Sequence, residues 1–327
     1  MDARRSGTIR NIREFLNRED WVHGQYEIEF LAAGEYNENY WIRANQGEFV
    51  FRINHGTQLG LEDQSSYEFD VLGAVYPSGA TPQPLKLQPS DPFFPRGAML
   101  IEYIPGIRFD YERDWAAAAR LFASIHRLPA SGRLIRQATP VADIVAESVE
   151  LLDRHSPHPL ADTGDLIRDY ATDIAEVAGS ADLDMQDEQL CIVNTEVNSG
   201  NFISPSRAPD GRLKLVDWEK AVVSYRYQDL GHFLVPTTTL WKTEFRFSAE
   251  LRRAFLEEYQ AAIHPAVSLD DLDRRTAVLE RTIVLRALSW CYMAYVEYTN
   301  NDRPLRSAGT FERINLYLEN AASFIGR

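Results

Sequence analysis

Short runs rich in β-branched and aromatic residues occupy Tyr26–Ala32, Asn39–Ala44 and Glu48–Ile53. They are split by Ala33-Gly34-Glu35-Tyr36-Asn37 and by Asn45-Gln46-Gly47, and Gly-containing connections of this length predict a three-stranded meander. The pattern then switches to helical spacing over Leu61–Tyr76, where Tyr67, Val71, Leu72 and Val75 form one face. A connection rich in proline (Pro82, Pro84, Pro89, Pro92, Pro95) leads to an apolar strand, Ala98–Ile104, closed by Pro105-Gly106. Beyond it the chain reads as helical at Asp114–Leu128, Val141–Asp153, Leu166–Val177, Ala249–Ile263, Leu272–Tyr298 and Thr310–Ile325. The one strand-rich interruption is 189–219, where Ala208-Pro209-Asp210-Gly211 is a hairpin turn signal between Phe202–Ile203 and Leu213–Val216. These patterns predict an α+β chain in two lobes, a small sheet-rich one over residues 1–104 and a larger helical one over 105–327.

Composition bounds the function. At 327 residues, with 45% hydrophobic and 25% charged, the chain is that of a globular protein large enough for two cores. The net charge of −14 argues against nucleic acid and anionic membrane as partners, since both need basic patches, and it permits a cationic small molecule. Cys191 and Cys291 lie in apolar surroundings and make no disulfide framework, so a reduced cytoplasmic setting is expected. Met1 to Leu16 is charged and lacks a signal core. The most apolar long segment, Ala277 to Tyr298, carries Glu280, Arg281, Arg286 and Glu297, so no membrane span is expected.

The chemistry concentrates in the strand-rich interruption. Asn194-Thr195-Glu196 is followed by Asn201, five positions after the acid, and Leu213-Lys214-Leu215-Val216 leads into Asp217-Trp218-Glu219. An acid, an Asn five residues on and a second acid at a strand end is the spacing of a kinase catalytic loop with its metal-binding Asp. Phosphoryl transfer also needs a cation on the phosphates, braced by an acid from the next helix. The one lysine before residue 104 is Lys86, in the Pro-rich connection, so Arg52 in Val50-Phe51-Arg52-Ile53 is the candidate cation and Glu68 its acid. Arginine stays charged and can bridge phosphate and carboxylate. No Walker A motif is present, which argues against a P-loop kinase.

Together these segments resemble the aminoglycoside phosphotransferase and choline kinase family, small-molecule kinases with a protein-kinase-like fold, over roughly residues 26–235. The resemblance implies ATP and Mg²⁺ as cofactors and a small-molecule hydroxyl as acceptor. Val216-Asp217-Trp218-Glu219 matches the family's apolar–Asp–aromatic–Glu pattern and makes Asp217 the principal metal ligand, with Asn201 the second. Arg52 stands where choline-kinase-like members carry theirs. Gly34 and Asn37 fall on the family's Gly-x-x-Asn phosphate-covering turn, and Glu102, Tyr103 and Ile104 on the hinge whose backbone docks adenine. His126 and Asp229 match residues that brace a helix end and the catalytic loop.

One position departs from the family. Its signature is His-Gly-Asp, four residues, Asn, whereas this chain reads Asn194-Thr195-Glu196, four residues, Asn201. Glu196 keeps the carboxylate at the catalytic position but adds a methylene. Two readings follow: a phosphotransferase with a longer acid at the base position, or a nucleotide-binding pseudokinase that senses or scaffolds. Substrate candidates are Glu219, Trp241 and Trp290, with Tyr292, Tyr295 and Tyr298 nearby. Aromatics with acids suit a cationic acceptor, although a spacing of three also suits a packed helix face.

Overall fold

The computed structural model describes residues 3–34, 36–57, 59–130, 133–204, 212–263, 267–300 and 308–327. The chain divides into two compact units, Met1–Ile107 with Ile203–Ala221, and Arg108–Phe202 with Val222–Arg327. Residues 203–221 therefore group with the sheet-rich unit, although they follow the first helices of the other in sequence.

The first unit begins with helix α1 (Ala3–Glu19), followed by strands β1 (Tyr26–Ala33), β2 (Asn37–Ala44) and β3 (Gly47–Asn54), helix α2 (Gln64–Val75), and strands β4 (Pro84–Gln88) and β5 (Ala98–Glu102). The five strands form one antiparallel sheet in the order β1-β2-β3-β5-β4. The expected meander is present, with Ala44 opposite Gly47 across a two-residue turn. Gly47 has φ 142°, a conformation that a side chain would resist. Two elements are additional to the sequence pattern. β4 lies in the Pro-rich connection, and it is a sheet edge whose first residue is Pro84, a place where a missing N–H costs no ladder bond. α1 is strongly charged, yet it buries Ile12, Phe15 and Leu16. The Phe15 ring lies 5.6 Å from that of Phe51 and 5.5 Å from that of Phe94, so the helix extends the sheet's core.

Residues 212–221 attach to this unit through main chain. The Leu215 N–H donates to the Ala80 carbonyl at 2.7 Å and Lys214 Nζ to the Gly79 carbonyl at 2.7 Å. The turn expected at 208–211 lies outside the described residues.

The second unit is mainly helical: α3 (Tyr111–His126), α4 (Pro140–Asp153), α5 (Ala161–Met185), α6 (Tyr227–Leu234), α7 (Pro236–Lys242), α8 (Ala249–Ala262), α9 (Leu269–Thr299), α10 (Ala308–Glu319) and α11 (Ala321–Ile325). Strands Cys191–Val193 and Val222–Ser224 pair antiparallel within it. The 31-residue α9 starts at Ser268, whose hydroxyl accepts the Asp271 N–H, and packs on α4, α5, α6 and α10. The Pro236–Trp241 segment, hydroxyl-rich in sequence, is helical, and Thr237, Thr238 and Thr239 are buried in it.

α6 approaches α9 closely at Gly231. A Cβ there would stand 2.9 Å from the Glu280 backbone N and 3.1 Å from the Leu279 carbonyl carbon. Gly179 on α5 has open space instead. Alanine ordinarily stabilises a helix by about 1 kcal/mol over glycine. We expect Gly179→Ala to raise Tm slightly. Gly231→Ala should lower it despite the better propensity, because overpacking costs about 1–3 kcal/mol. Thermal melts by circular dichroism check both, and equal behaviour of the two variants would contradict the close approach.

Candidate active site

In the first unit the candidate residues converge on Arg52. This β3 side chain is buried, and its Nε donates to Glu68 Oε2 at 2.9 Å. Its Nη2 donates to Asp217 Oδ1 at 2.6 Å, and Glu219 Oε2 lies 3.5 Å away. Asn39 Oδ1 adds a longer contact at 3.4 Å. Burial pushes the Arg52 guanidinium down, but Glu68, Asp217 and Glu219 more than reverse this and hold it above its ordinary value. Burial likewise pushes the Glu68 carboxyl up, with Arg52 opposing.

The acidic segment reaches Arg52 through an unusual backbone. Asp217 has φ 64°, one of three non-glycine residues at positive φ among the described residues. Such a conformation costs on the order of 1–3 kcal/mol and persists where the surroundings impose it. Trp218, fully buried, donates Nε1–H to the Leu215 carbonyl at 3.1 Å. Glu219 is held twice, its Oε2 by the Asn37 amide at 2.8 Å and its carbonyl by Gln64 Nε2 at 2.7 Å.

Asn37 lies where the resemblance put a phosphate-covering turn, and its side chain is engaged with Glu219. The turn itself is closed by the Gly34 N–H on the Asn37 carbonyl at 2.9 Å, with residue 35 outside the described set. On the hinge segment the Glu102 N–H donates to the Gln83 carbonyl at 2.9 Å and the Tyr103 N–H to the Glu48 carbonyl at 3.3 Å. The Tyr103 ring stacks on Trp41 at 4.8 Å, and Ile104 is half-buried. Gln64 carries no motif of its own, and only its contacts identify it as part of this cluster.

In the second unit the strand Cys191–Val193 runs into the Asn194–Asn201 loop. Asp229, buried at the start of α6, accepts the N–H of Asn194 and that of Thr195, both at 2.9 Å. Thr195 has φ 66°, a costly position for a β-branched residue, and the two bonds to Asp229 hold it there. The Asn194 side chain accepts the Glu196 N–H at 3.0 Å. Asn201 donates Nδ2–H to the Glu196 carbonyl at 2.7 Å, so its Oδ1 is oriented away as an oxygen donor. Phe202, directly after it, anchors the loop by packing on Phe109 at 4.8 Å and Phe233 at 5.7 Å.

The donor chemistry fits magnesium. Each unit carries an oxygen ligand of the kind a hard cation prefers, the Asp217 carboxylate in the first and the Asn201 amide in the second.

The aromatic candidates of the second unit are mutually packed. Trp241 meets Trp290 edge-on at 5.9 Å and Tyr317 at 5.6 Å, and both tryptophans are half-buried. Tyr292 stacks on His158 at 3.5 Å and Tyr298 on Phe311 at 5.7 Å, so these two tyrosines pack between elements.

His126 braces Asp229 from behind: its Nε2 lies 3.3 Å from Asp229 Oδ2 and its Nδ1 2.9 Å from the Tyr259 hydroxyl. Burial pushes its pKa below the ordinary value, and Asp229 offsets this only in part. A depressed histidine favours the neutral form in the native state. Its contribution is therefore complete above the ordinary value of about 6.5 and is lost as pH falls toward the lowered native value. We expect Tm to drop between pH 7 and pH 5 in the wild type. In His126→Gln the drop should be shallower from a lower starting point at pH 8, and parallel curves would contradict the assignment.

With this geometry in view, comparison with known proteins gives a consistent result. No curated protein matches the chain. Among solved structures, a Plasmodium vivax ethanolamine kinase aligns with TM-score 0.66 and 13% identity over 92% of this chain and 83% of its own. Choline kinase LicA from Streptococcus pneumoniae aligns with TM-score 0.63 and 15% identity over 97% and 99%. Spectinomycin phosphotransferase, solved with ADP and spectinomycin, aligns with TM-score 0.57 and 11% identity over 95% and 93%. At these identities the likeness establishes the bilobal, kinase-like α+β fold. The family model described as "Phosphotransferase enzyme family" matches residues 27–275, and the chain belongs to that family.

Proposed function

We propose that this protein transfers the γ-phosphate of ATP to a hydroxyl group of a small molecule, in the range of amino alcohols, sugars and aminoglycosides. The observation that carries this reading is the placement of Arg52. A cation from the third strand is braced by an acid of the following helix and bonded to the acid of the Asp-Trp-Glu segment. Such a fork holds phosphate oxygens bidentately while remaining charged.

In this reading Arg52, braced by Glu68, binds the nucleotide phosphates. Asp217 and Asn201 would hold Mg²⁺, which when bound would neutralise charge on the transferring group. The Gly34–Asn37 turn is assigned to the phosphates and the main chain of Glu102, Tyr103 and Ile104 to adenine. Glu196 orients the acceptor hydroxyl and takes its proton. The acceptor oxygen forms the new bond to the γ-phosphorus, the bond from that phosphorus to the β–γ bridging oxygen breaks, and ADP leaves. A loose transition state asks little of the base beyond this orientation, so a glutamate suffices.

A cationic acceptor is supported by the net charge of −14 and by the half-buried Trp241 and Trp290, whose faces attract ammonium groups. Glu219 is a further candidate for substrate contact. Relatives of the same fold named as ethanolamine and choline kinases make amino alcohols the first acceptors to try. The presence of Glu196 at the catalytic position favours one second reading, a pseudokinase that binds nucleotide without transfer.

Phosphate transfer from ATP to a panel of amino alcohols, sugars and aminoglycosides separates the two. We expect turnover with at least one acceptor. Glu196→Ala should reduce kcat by about 10²-fold or more, as loss of a general base does. Asp217→Ala should cost at least as much through lost charge stabilisation. ATP-dependent thermal stabilisation with no turnover on any acceptor would favour the pseudokinase, and turnover unchanged in both variants would refute the site.

A further inference from the structure

Helix α2 does more in this chain than supply Glu68. Gln64, Tyr67 and Glu68 occupy positions i, i+3 and i+4 and so share one face of the helix. Two of these side chains bond to the backbone of the acidic segment, and the third bonds to Arg52, which holds Asp217. Gln64 Nε2 donates to the Glu219 carbonyl at 2.7 Å and the Tyr67 hydroxyl donates to the Ala221 carbonyl at 2.7 Å, while Glu68 accepts Arg52 Nε–H at 2.9 Å. The amide of Gln64 is oriented independently, because its Oε1 accepts the Thr57 hydroxyl at 2.7 Å. The helix start is fixed as well, with Asp63 accepting the Ser66 N–H at 2.9 Å. From the other side Asn37 holds the Glu219 carboxylate and Arg52 holds Asp217.

We propose that Gln64 and Tyr67 are positioning residues for the metal-binding segment. With Glu68 they form a clasp on α2 that imposes the left-handed backbone of Asp217 and so aims its carboxylate. A strained residue at 217 relaxes unless the residues after it are pinned, and residues 219 and 221 are both pinned by this one helix face. Movement of α2 therefore moves the brace of Arg52 and the metal ligand together, so that nucleotide and metal affinity are set by a single element. The inference rests on the reading of Asp217 as the magnesium ligand.

The test is titration of ADP, with EDTA and then with Mg²⁺, into the wild type, Gln64→Met, Tyr67→Phe and the double variant. Both substitutions nearly keep volume: Tyr67→Phe removes the hydroxyl donor, and Gln64→Met removes the amide that donates to Glu219 and accepts from Thr57. We expect metal-free ADP affinity to be retained, while the tightening produced by Mg²⁺ falls by about three- to tenfold in each single variant and further in the double. Variants that lose thermal stability but keep the full magnesium effect would overturn the clasp and leave the phosphotransferase reading standing. A wild type that binds ADP with no magnesium effect would overturn the metal assignment, and the clasp's role with it. Failure of the wild type to bind ADP at all would overturn the phosphotransferase reading first.

Discussion

A single buried guanidinium organises the first unit. Arg52 lies among Glu68, Asp217 and Glu219, so one buried positive charge faces three carboxylates, two of them buried and Asp217 partly exposed. Such a cluster is a poor way to gain stability, because desolvating charges costs several kcal/mol per ion before their attraction returns it. It is a good way to fix geometry. The fork of Arg52 selects one arrangement of a strand, a helix and the acidic segment, and it leaves an excess of negative charge that suits a divalent cation. The same side chain presents a charge that phosphate oxygens can share.

The second unit solves a similar problem with hydrogen bonds in place of ion pairs. Asp229 accepts two consecutive backbone N–H groups and so holds Thr195 in a conformation that a β-branched residue resists. His126 and Tyr259 support Asp229 from the core. The loop that follows is tied to itself, Asn194 to the Glu196 N–H and Asn201 to the Glu196 carbonyl. Glu196 is thus anchored by its main chain at both N–H and carbonyl. The extra methylene of its side chain extends from a fixed point, which makes a longer acid compatible with an ordered site.

Much of this was legible in the residues, for identifiable reasons. The meander follows from local spacing, which a linear reading captures, and the Arg52–Glu68 ion pair was expected from the kinase pattern of a third-strand cation with an acid on the next helix. Other features depend on contacts far apart in sequence and carry no local signal. The charged α1 gave no sign that Phe15 would cap a sheet core formed by Phe51 and Phe94. Pro84 disguised β4, since proline argues against any strand except one at an edge. The Thr-rich run at 237–239 hid the helix α7 behind poor propensity. Asn37 matched a turn motif, yet its side chain reaches 182 positions along the chain to Glu219. Gln64 had no signal at all, because an amide aimed at a distant carbonyl looks like any polar helix residue.

In the proposed function the Arg52 cluster anchors the nucleotide phosphates. Removing Arg52 alone would strand Glu68 as a buried unpaired charge, so the informative protein is the double variant Arg52→Gln/Glu68→Gln, which removes cation and brace together. Isothermal titration with Mg·ADP, on variant protein whose circular dichroism spectrum matches the wild type, gives the answer directly. Affinity is expected to weaken by about tenfold or more, the loss expected for hydrogen bonds to a charged group. Undiminished Mg·ADP affinity in a folded double variant would contradict it.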